Sequence, residues 1–469
     1  MNLTKFFIDQ HGCAKNQTDG ELITGYLTRA GFEFTTDAFQ ADFIIVNSCG
    51  FIESAKKESI DAVCNIHAAY PNAKIILTGC LAERYSEQLY QSMPELDGIF
   101  GNGDISKISE FMHSVEKKRA VEIFPQSGVC GGERPFLFNF PSSTFVKITE
   151  GCSNHCSFCA IPLIRGELRS RPENEILSEI KKLVSDGVYE INLIGQDLAA
   201  YGSENSTKLS NLMAKIKDIP GDFVIRPLYI HPDHFSDDII DAMKYDIRFL
   251  PYFDVPFQSG DDKIISAMNR VGSQKKYIEL VKKIRSELPD AVIRTTFLTG
   301  FPGETEEAAQ NTFNFLEAIE PDWSGCFPYS REEDTPAYKL KGRVPAKVAK
   351  ERAARLAKRQ TEITAEHLQK YVGKEIKVLI EEIVQPDNSQ DCGEVEVEGL
   401  AIGRAWFQAP EVDGSTVIRY DIDDMTQVES VKPGNVILVK VIASTGVDLD
   451  SGFIKLCKKY EKSEIKFLF

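Results

Sequence analysis

Three cysteines in one short stretch give the strongest chemical signal in this sequence. Cys152, Cys156 and Cys159 follow the pattern CxxxCxxC, so their thiolates could wrap one face of a cubane iron–sulfur cluster. Three protein ligands leave one of the four irons open, and a cofactor could chelate that iron. The alternatives are chance or a structural zinc site, which would need a fourth ligand that the sequence does not offer at finger-like spacing.

Three further cysteines each follow a predicted strand in the N-terminal part of the chain. Residues 1–105 alternate strand and helix signals, which is typical of βαβ units and a small parallel sheet. The predicted strands are Lys5–Asp9, Phe43–Asn47 and Lys74–Thr78. Cys13, Cys49 and Cys80 lie in the loops after them and could meet, because the carboxyl ends of parallel strands converge at one edge. Taken singly, each is more often a buried apolar side chain.

The segment that begins at Ser143 repeats this alternation around the CxxxCxxC loop. Its predicted strands are Thr144–Ile148, Glu190–Ile194, Phe223–Pro227, Tyr252–Val255 and Ala291–Phe297. Helical patterns fill the gaps, including Glu173–Asp186 and Lys275–Glu287. The repetition indicates a full or partial (β/α) barrel, a fold whose active site is built from the loops at the carboxyl ends of the strands.

Two strand-end loops of this barrel carry candidate binding residues. Gly300-Phe301-Pro302-Gly303-Glu304 follows the last predicted strand, where its glycines would let the backbone approach a ligand, although a simple tight turn is the alternative. Gln196 and Asp197 end another strand and are candidates for cofactor contact. A basic run after the cluster loop could bind a carboxylate or form salt bridges. Its members are Arg165, Arg169 and Arg171.

The composition predicts a multi-domain α/β protein of the cytoplasm. The 469 residues include eleven cysteines, which in a large cytosolic chain point to metal binding or catalysis rather than to disulfides. The N-terminus lacks the architecture of a signal peptide, and no apolar run approaches the roughly 18 residues that span a bilayer. We therefore expect a cytoplasmic protein with no membrane partner.

The chain divides into five predicted segments. They are an N-terminal domain at 1–118, a linker rich in Pro and Gly at 119–142, the barrel with a bridging helix at 143–371, a small all-β domain at 372–441 and an extension at 442–469. The all-β segment holds fourteen acidic and six basic residues, a difference of −8 out of a net charge of −16 for the whole chain. Such a surface repels phosphate backbones and favours basic partners.

These motifs resemble those of the radical S-adenosylmethionine superfamily and, within it, the methylthiotransferase family. The stretches that resemble the branch acting on ribosomal protein uS12 include Gly12–Asn16, Asn47–Ile52, Thr78–Ala82, Ala160–Pro162, Arg169–Pro172, Ile194–Asp197, Phe327–Glu332 and Ala409–Gly414. The resemblance covers almost the whole chain in order. One departure is Gln258-Ser259-Gly260, where that branch more often has His after Gln and the tRNA-modifying branches have Ser.

The resemblance implies two [4Fe–4S] clusters, one bound by Cys152, Cys156 and Cys159 and the other by Cys13, Cys49 and Cys80. It also implies a site for S-adenosylmethionine, and it identifies the acidic β segment as a TRAM domain. The residues implied to contact that cofactor are Gln196, Asp197, Gly300, Pro302, Gly303 and Glu304. The implied reaction is radical methylthiolation of the β-carbon of an aspartate on ribosomal protein uS12.

The partners expected from this reading are ribosomal protein uS12 or the small ribosomal subunit, an electron donor and a sulfur donor. Two alternatives remain open at this point. One is the sister reaction on a modified adenosine of tRNA, although direct tRNA binding is not expected because the terminal domain is acidic. The other is a non-enzymatic iron–sulfur carrier, which would need neither the barrel nor the loop at 300–304.

Overall fold

The computed structural model describes residues 3–385, 398–461 and 465–468. Within these ranges an N-terminal α/β unit, a partial (β/α) barrel and a closed β-barrel follow one another along the chain. The predicted fold class is therefore confirmed. No helix in the described part of the chain has both the length and the apolar character needed to cross a membrane.

The N-terminal unit is a parallel sheet with helices against it. Its strands are β1 (Lys5–Gln10), β2 (Glu33–Phe34), β3 (Phe43–Ser48), β4 (Lys74–Gly79), β5 (Gly98–Phe100) and β6 (Ala120–Glu122). Its helices are α1 (Ala14–Arg29), α2 (Glu53–Ala69), α3 (Cys80–Ser92) and α4 (Ile108–Lys117). The strand order β2-β1-β3-β4-β5-β6 makes β1, β3 and β4 neighbours. All of β3 is buried, as expected for a parallel strand covered on both faces.

The barrel unit is built from parallel strands whose carboxyl ends point the same way, together with a short antiparallel pair, β9 (Thr149–Glu150) and β10 (Arg169–Ser170). Its strands are β8 (Ser143–Lys147), β9 (Thr149–Glu150), β10 (Arg169–Ser170), β11 (Glu190–Ile194), β12 (Val224–Pro227), β13 (Tyr252–Asp254), β14 (Val292–Thr299) and β15 (Trp323–Pro328). Strands β12-β11-β8 form one sheet and β13-β14-β15 another, and a bridge between Ile225 and Phe249 links the two. The strands therefore form an incomplete barrel with β8 and β15 at its two edges.

Helices surround this incomplete barrel. They are α5 (Ile161–Arg165), α6 (Glu173–Ser185), α7 (Leu209–Ile216), α8 (Asp237–Tyr245), α9 (Asp262–Ala267), α10 (Gln274–Glu287), α11 (Glu306–Ile319) and α12 (Ala346–Leu368). Helix α12 packs against β14 and β15, while α1 of the N-terminal unit packs against β8. The first helix of the chain thus lies at the edge of the barrel, next to the strand that leads into the CxxxCxxC loop.

The C-terminal unit is a closed barrel with the order β16-β17-β18-β20-β19. Its elements are β16 (Glu375–Val384), β17 (Glu398–Ala405), β18 (Thr416–Asp421), α13 (Met425–Ser430), β19 (Val436–Thr445) and β20 (Asp448–Lys458). The predicted boundary at residue 441 is wrong, because β19 runs through it and β20 closes the barrel by pairing with both β18 and β19. Residues 386–397 of this segment lie outside the described ranges.

A short parallel pair connects the two ends of the molecule. Strand β7 (Phe136–Leu137) lies in the predicted linker, and β21 (Lys466–Phe467) lies in the predicted extension. Lys466 donates its N–H to the carbonyl of Pro135 at 3.1 Å, and Leu468 donates to Leu137 at 3.1 Å. The linker therefore has its own hydrogen-bonded partner.

A buried ion network joins the C-terminal barrel to the (β/α) barrel. Glu190 on β11 accepts bonds from Arg226 at 2.7 Å and from Arg404 at 2.6 Å, and all three side chains are buried. The two guanidinium groups hold the pKa of Glu190 far below its usual range, against the effect of burial. The charge of Glu190 therefore contributes to holding the two units together.

Replacing Glu190 by Gln is expected to lower the free energy of unfolding by about 3 kcal/mol, because buried Arg226 loses its counter-charge and buried Arg404 is left with Glu381 alone. Chemical denaturation followed by circular dichroism would measure the change. Glu375→Gln on exposed β16 serves as the control and should change stability by less than about 0.5 kcal/mol. Equal stability of the two variants would contradict this account of the interface.

Candidate active site

The CxxxCxxC loop leaves the barrel directly after β9. Gly151 has φ of 71°, and a side chain there would place a Cβ 2.0 Å from the carbonyl oxygen of Glu167, so the turn requires glycine. The Cys152 N–H then donates to Gly166 at 3.0 Å, and the Ser157 N–H donates to Met268 at 3.0 Å. These bonds hold the loop at the mouth of the barrel.

The thiols of this loop are close enough to influence one another. Burial raises the pKa of Cys152 to about 11 and that of Cys159 to about 12, and the negative charge of Cys156 adds to both shifts. The uncharged thiol is therefore favoured in the protein alone. Positive metal charge would reverse this preference, since only the thiolate is a good metal ligand.

Three loops of the N-terminal unit bring the other trio together. Cys13 precedes α1, Cys49 follows β3, and Cys80 is the first residue of α3. A Cβ placed on Gly12 would lie 3.2 Å from that of Cys49, and one on Gly50 would lie 2.7 Å from the carbonyl oxygen of Cys80. The predicted convergence of these three strand ends is therefore seen in the structure.

Neither cysteine trio forms a compact site for a single metal ion. A tetrahedral zinc site with Zn–S bonds of about 2.3 Å brings its sulfurs within roughly 4 Å of one another. Among the described residues, the one group of three candidate ligands within 4.8 Å of one another is Asp197, His231 and His234, which includes no cysteine. Neither trio forms such a compact group, and three thiols that leave one iron open are the donor set of the implied clusters, so the residues present fit them.

A buried network of charges lies beside the second trio and links it to the barrel. Arg165 donates to Cys80 Sγ at 3.4 Å, to Asp19 at 2.9 Å and to Glu150 at 2.8 Å. Lys147 binds the same two carboxylates. Asp19 lies on α1, while the other charges lie on the barrel side of the interface. We call this set of Arg165, Lys147, Asp19 and Glu150 the interface network.

The basic run after the cluster loop is largely occupied by contacts within the protein. Arg171 forms ion pairs with Glu179 and Glu175, and Arg169 donates to the carbonyl oxygens of Gly128, Arg165 and Glu167. Of the two roles considered for this run, the structure therefore favours salt bridges and loop support over the binding of an external carboxylate.

A cavity of about 770 Å³ lies between the N-terminal unit and the mouth of the barrel. The two units both contribute, with Phe51 on one side and Phe158, Gly300 and Pro302 on the other. Gly300 has φ of 76°, and a Cβ there would lie 2.3 Å from that of Ala349, so the chain needs glycine at this wall. The cavity is large enough for a nucleoside-sized ligand.

The other predicted contact residues shape their surroundings. Glu304 accepts from the Gly300 N–H at 2.6 Å and from Arg352 at 2.8 Å, which fixes the loop that also contains Gly303. Gln196 donates to Glu150 at 3.3 Å, while its buried Oε1 has no partner among the described residues. Asp197 is buried and binds Asn154 at 3.0 Å. A direct cofactor contact by Gln196, Asp197, Gly303 or Glu304 stays a prediction.

Family models match three parts of the chain. The Radical SAM superfamily model covers residues 146–316, the TRAM domain model covers 372–454, and the model described as "Uncharacterized protein family UPF0004" covers 5–101. The ribosomal protein uS12 methylthiotransferase RimO of Treponema denticola is 50% identical, over 95% of this chain and 99% of that relative. The chain belongs to the uS12 methylthiotransferase family. The predicted family membership is confirmed, and the protein is a radical-SAM methylthiotransferase.

Other members and one solved structure agree with this assignment. The RimO protein of Thermosipho africanus is 39% identical, over 88% of this chain and 93% of its own length. The radical S-adenosylmethionine methyltransferase TsrM from Kitasatospora setae, solved with cobalamin and a [4Fe–4S] cluster bound, superposes with a TM-score of 0.53 at 13% identity, over 72% of this chain and 77% of that one. At that identity the likeness shows the fold alone. Membership of the family implies one [4Fe–4S] cluster and S-adenosylmethionine.

A histidine that the sequence patterns did not single out, His231, contacts the cluster loop. His231 Nδ1 accepts from the Asp233 N–H at 3.2 Å, and its Nε2 lies 3.8 Å from Cys156 Sγ. Burial lowers the pKa of His231 to about 4, so the ring is neutral at pH 7. Because Nδ1 accepts, Nε2 carries the proton and donates to the sulfur. Its position in the sequence could have identified it, because His231 closely follows β12 and so lies at the carboxyl-terminal face of the barrel.

Proposed function

We propose that this protein replaces a hydrogen on the β-carbon of an aspartate in ribosomal protein uS12 with a methylthio group. In this proposal Cys152, Cys156 and Cys159 hold one [4Fe–4S] cluster, and the second trio, Cys13, Cys49 and Cys80, holds another. The observation that carries it is the placement of the two cysteine trios in neighbouring units, which the interface network joins and which both line one cavity.

The chain's own residues would bind, orient and exclude water. When bound, the two clusters and S-adenosylmethionine would supply the electron, the radical and the methylthio group. The loop at 300–304 would shape the wall of the cofactor cavity, with Gln196 and Asp197 nearby as candidate contacts. An unactivated C–H bond resists acid–base chemistry, which is why a radical cofactor is needed. An external electron donor and a sulfur donor complete the balance of the reaction.

The charges of the C-terminal barrel support a basic protein substrate over tRNA. Arg419 pairs with Glu398 and Asp450, and Arg404 pairs with Glu381, so these basic side chains are already neutralised. Asp421 and Asp423, just before α13, are exposed to solvent. Ribosomal proteins are basic, and complementary charge favours their encounter with such a surface. A ribosomal substrate also implies action in the cytoplasm.

Mass spectrometry of uS12 and of bulk tRNA from a deletion strain would test the substrate. We expect loss of a methylthio mass from a single aspartate of uS12 and no change in tRNA. Loss from tRNA alone would transfer the proposal to the adenosine reaction. The carrier alternative is tested separately, because a purified carrier would form no 5′-deoxyadenosine from S-adenosylmethionine and dithionite.

The His231 contact gives a prediction about the cluster at Cys152, Cys156 and Cys159. An N–H donor to a ligating sulfur favours the reduced, more negative cluster. Replacing His231 by Phe is expected to make the reduction potential more negative by about 40 mV, the equivalent of one hydrogen bond of about 1 kcal/mol. A redox titration followed by electron paramagnetic resonance would measure the shift. His113→Phe, at an exposed site of α4, is the control and should leave the potential unchanged.

A further inference from the structure

Lys15 is a buried lysine that has no carboxylate partner among the described residues. It lies on the first turn of α1, two residues after Cys13, and only 9% of its surface is exposed. Its Nζ lies 3.2 Å from the centroid of the Tyr229 ring. Within the described residues, no hydrogen bond or ion pair joins this ammonium group to any other side chain or to the backbone.

Three cations near Lys15 have carboxylate partners. Lys147 and Arg165 share Asp19 and Glu150, and Arg294 binds Asp254 at 3.1 Å. Asp254 and Glu150 are the carboxylates whose charges act most strongly on Lys15, and both are therefore already paired. A buried ammonium group without a counter-ion is costly, and a stacked aromatic ring offsets only part of that cost. This arrangement indicates that the missing anion comes from a ligand.

The position of Lys15 distinguishes this ligand from the one in the large cavity. Tyr229 follows β12 and is only partly buried, so its ring lies at the carboxyl-terminal face of the barrel. Its N–H donates to Asp254 at 3.2 Å, which holds the loop in place. Neither Lys15 nor Tyr229 lines the cavity bordered by Gly300 and Pro302. Lys15 instead lies between Cys13 of the second trio, two residues before it, and the ring of Tyr229 on the barrel side.

We propose that Lys15 binds the side-chain carboxylate of the substrate aspartate, with Tyr229 as the floor of this subsite. The inference rests on the proposed function, which supplies a substrate whose reacting carbon is bonded directly to a carboxylate carbon. Holding that carboxylate beside Cys13 places the β-carbon next to the second trio, where the methylthio group would be delivered. An adenosine carries no carboxylate, so the same contact selects protein over tRNA.

The test combines enzyme and substrate variants with the reconstituted holoenzyme. Lys15→Met removes the charge at similar length, Lys15→Arg keeps it, and Lys57→Met on exposed α2 is the matched control. Purified uS12 is used with its target aspartate intact or changed to Asn. The measurements are the Kd for uS12 under anaerobic conditions, kcat/KM for methylthiolation, and the yield of 5′-deoxyadenosine without uS12.

We expect Lys15→Met to weaken binding of native uS12 roughly 10- to 100-fold, the range for one charge-assisted hydrogen bond. With the native enzyme, the Asp→Asn substrate should lose a similar amount of affinity. With the Lys15→Met enzyme, the Asp→Asn substrate and native uS12 should bind equally well. Lys15→Arg should recover most of the affinity, and Lys57→Met should match the native enzyme. The yield of 5′-deoxyadenosine without uS12 should not change.

Other outcomes overturn the inference. Additive losses in the two-by-two comparison would mean that Lys15 and the aspartate do not interact. A lower yield of 5′-deoxyadenosine in Lys15→Met without uS12 would assign Lys15 to the cofactor instead. Iron loss in both Lys15→Met and Lys15→Arg would assign it to the fold of the second trio. Failure of the native enzyme to modify uS12 would instead refute the proposed function itself, before any variant is compared.

Discussion

Replacing Cys13, Cys49 and Cys80 together by Ala is expected to lower the iron content from about eight to about four atoms per chain. Methylthiolation should be abolished, while cleavage of S-adenosylmethionine with dithionite should stay within about twofold of the native rate. Cleavage should persist because the CxxxCxxC loop is held to the barrel by its own backbone hydrogen bonds, at Gly166 and Met268. Iron and sulfide analysis and chromatography of 5′-deoxyadenosine would measure the two effects.

The reciprocal variant makes this test sharper. Changing Cys152, Cys156 and Cys159 to Ala should also remove about four irons, yet abolish cleavage of S-adenosylmethionine entirely. Ala at Cys64 and Cys457, which are exposed and belong to neither trio, gives a control for the removal of thiols outside the two sites. Eight irons in the variant of the first test would mean that the N-terminal trio holds no cluster.

The second large effect is expected at Arg165. Replacing it by Met should lower the free energy of unfolding by about 4–5 kcal/mol, because Asp19 and Glu150 would keep their buried charges with one cation fewer. Arg165 and Lys147 hold the pKa of Glu150 well below its usual range, so that carboxyl should become easier to protonate in the variant. Loss of the contact with Cys80 should also reduce iron bound at the second trio.

Denaturant titration of the iron-loaded protein, with iron analysis alongside, would measure both consequences of this change. Arg29→Met removes an arginine from the exposed end of α1 and should alter neither stability nor iron content appreciably. If Arg165→Met were as stable as Arg29→Met, the interface network would not be the element that joins the two units.

The sequence predicted the parts of the site that depend on local periodicity. Alternating strand and helix signals placed Cys13, Cys49 and Cys80 at the ends of neighbouring parallel strands, and the predicted strand Glu190–Ile194 has the bounds seen in the structure. The cluster loop was predictable because its three thiols are close in the chain. These features need no knowledge of which distant segments touch.

The residues that were missed depend on contacts between distant segments. Lys147 pairs with Asp19 across 128 positions and Arg165 pairs with Asp19 across 146, and a single sequence carries no signal for such pairs. Lys15 and His231 could be recognised as site residues only from their contacts with Tyr229 and Cys156, which lie on other elements. The end of the β-barrel was misplaced because β20 alternates half-buried and buried residues only in its first half and then has a run of exposed residues.

The β7–β21 pair has a practical consequence for how the protein is handled. Since Lys466 and Leu468 bond to the segment between the N-terminal unit and the barrel, an affinity tag or a proteolytic nick near residue 466 would disturb the tether between the two cysteine trios. Preparations tagged at the N-terminus, or with the tag removed by a site-specific protease, should therefore give an iron content closer to that of the untagged protein.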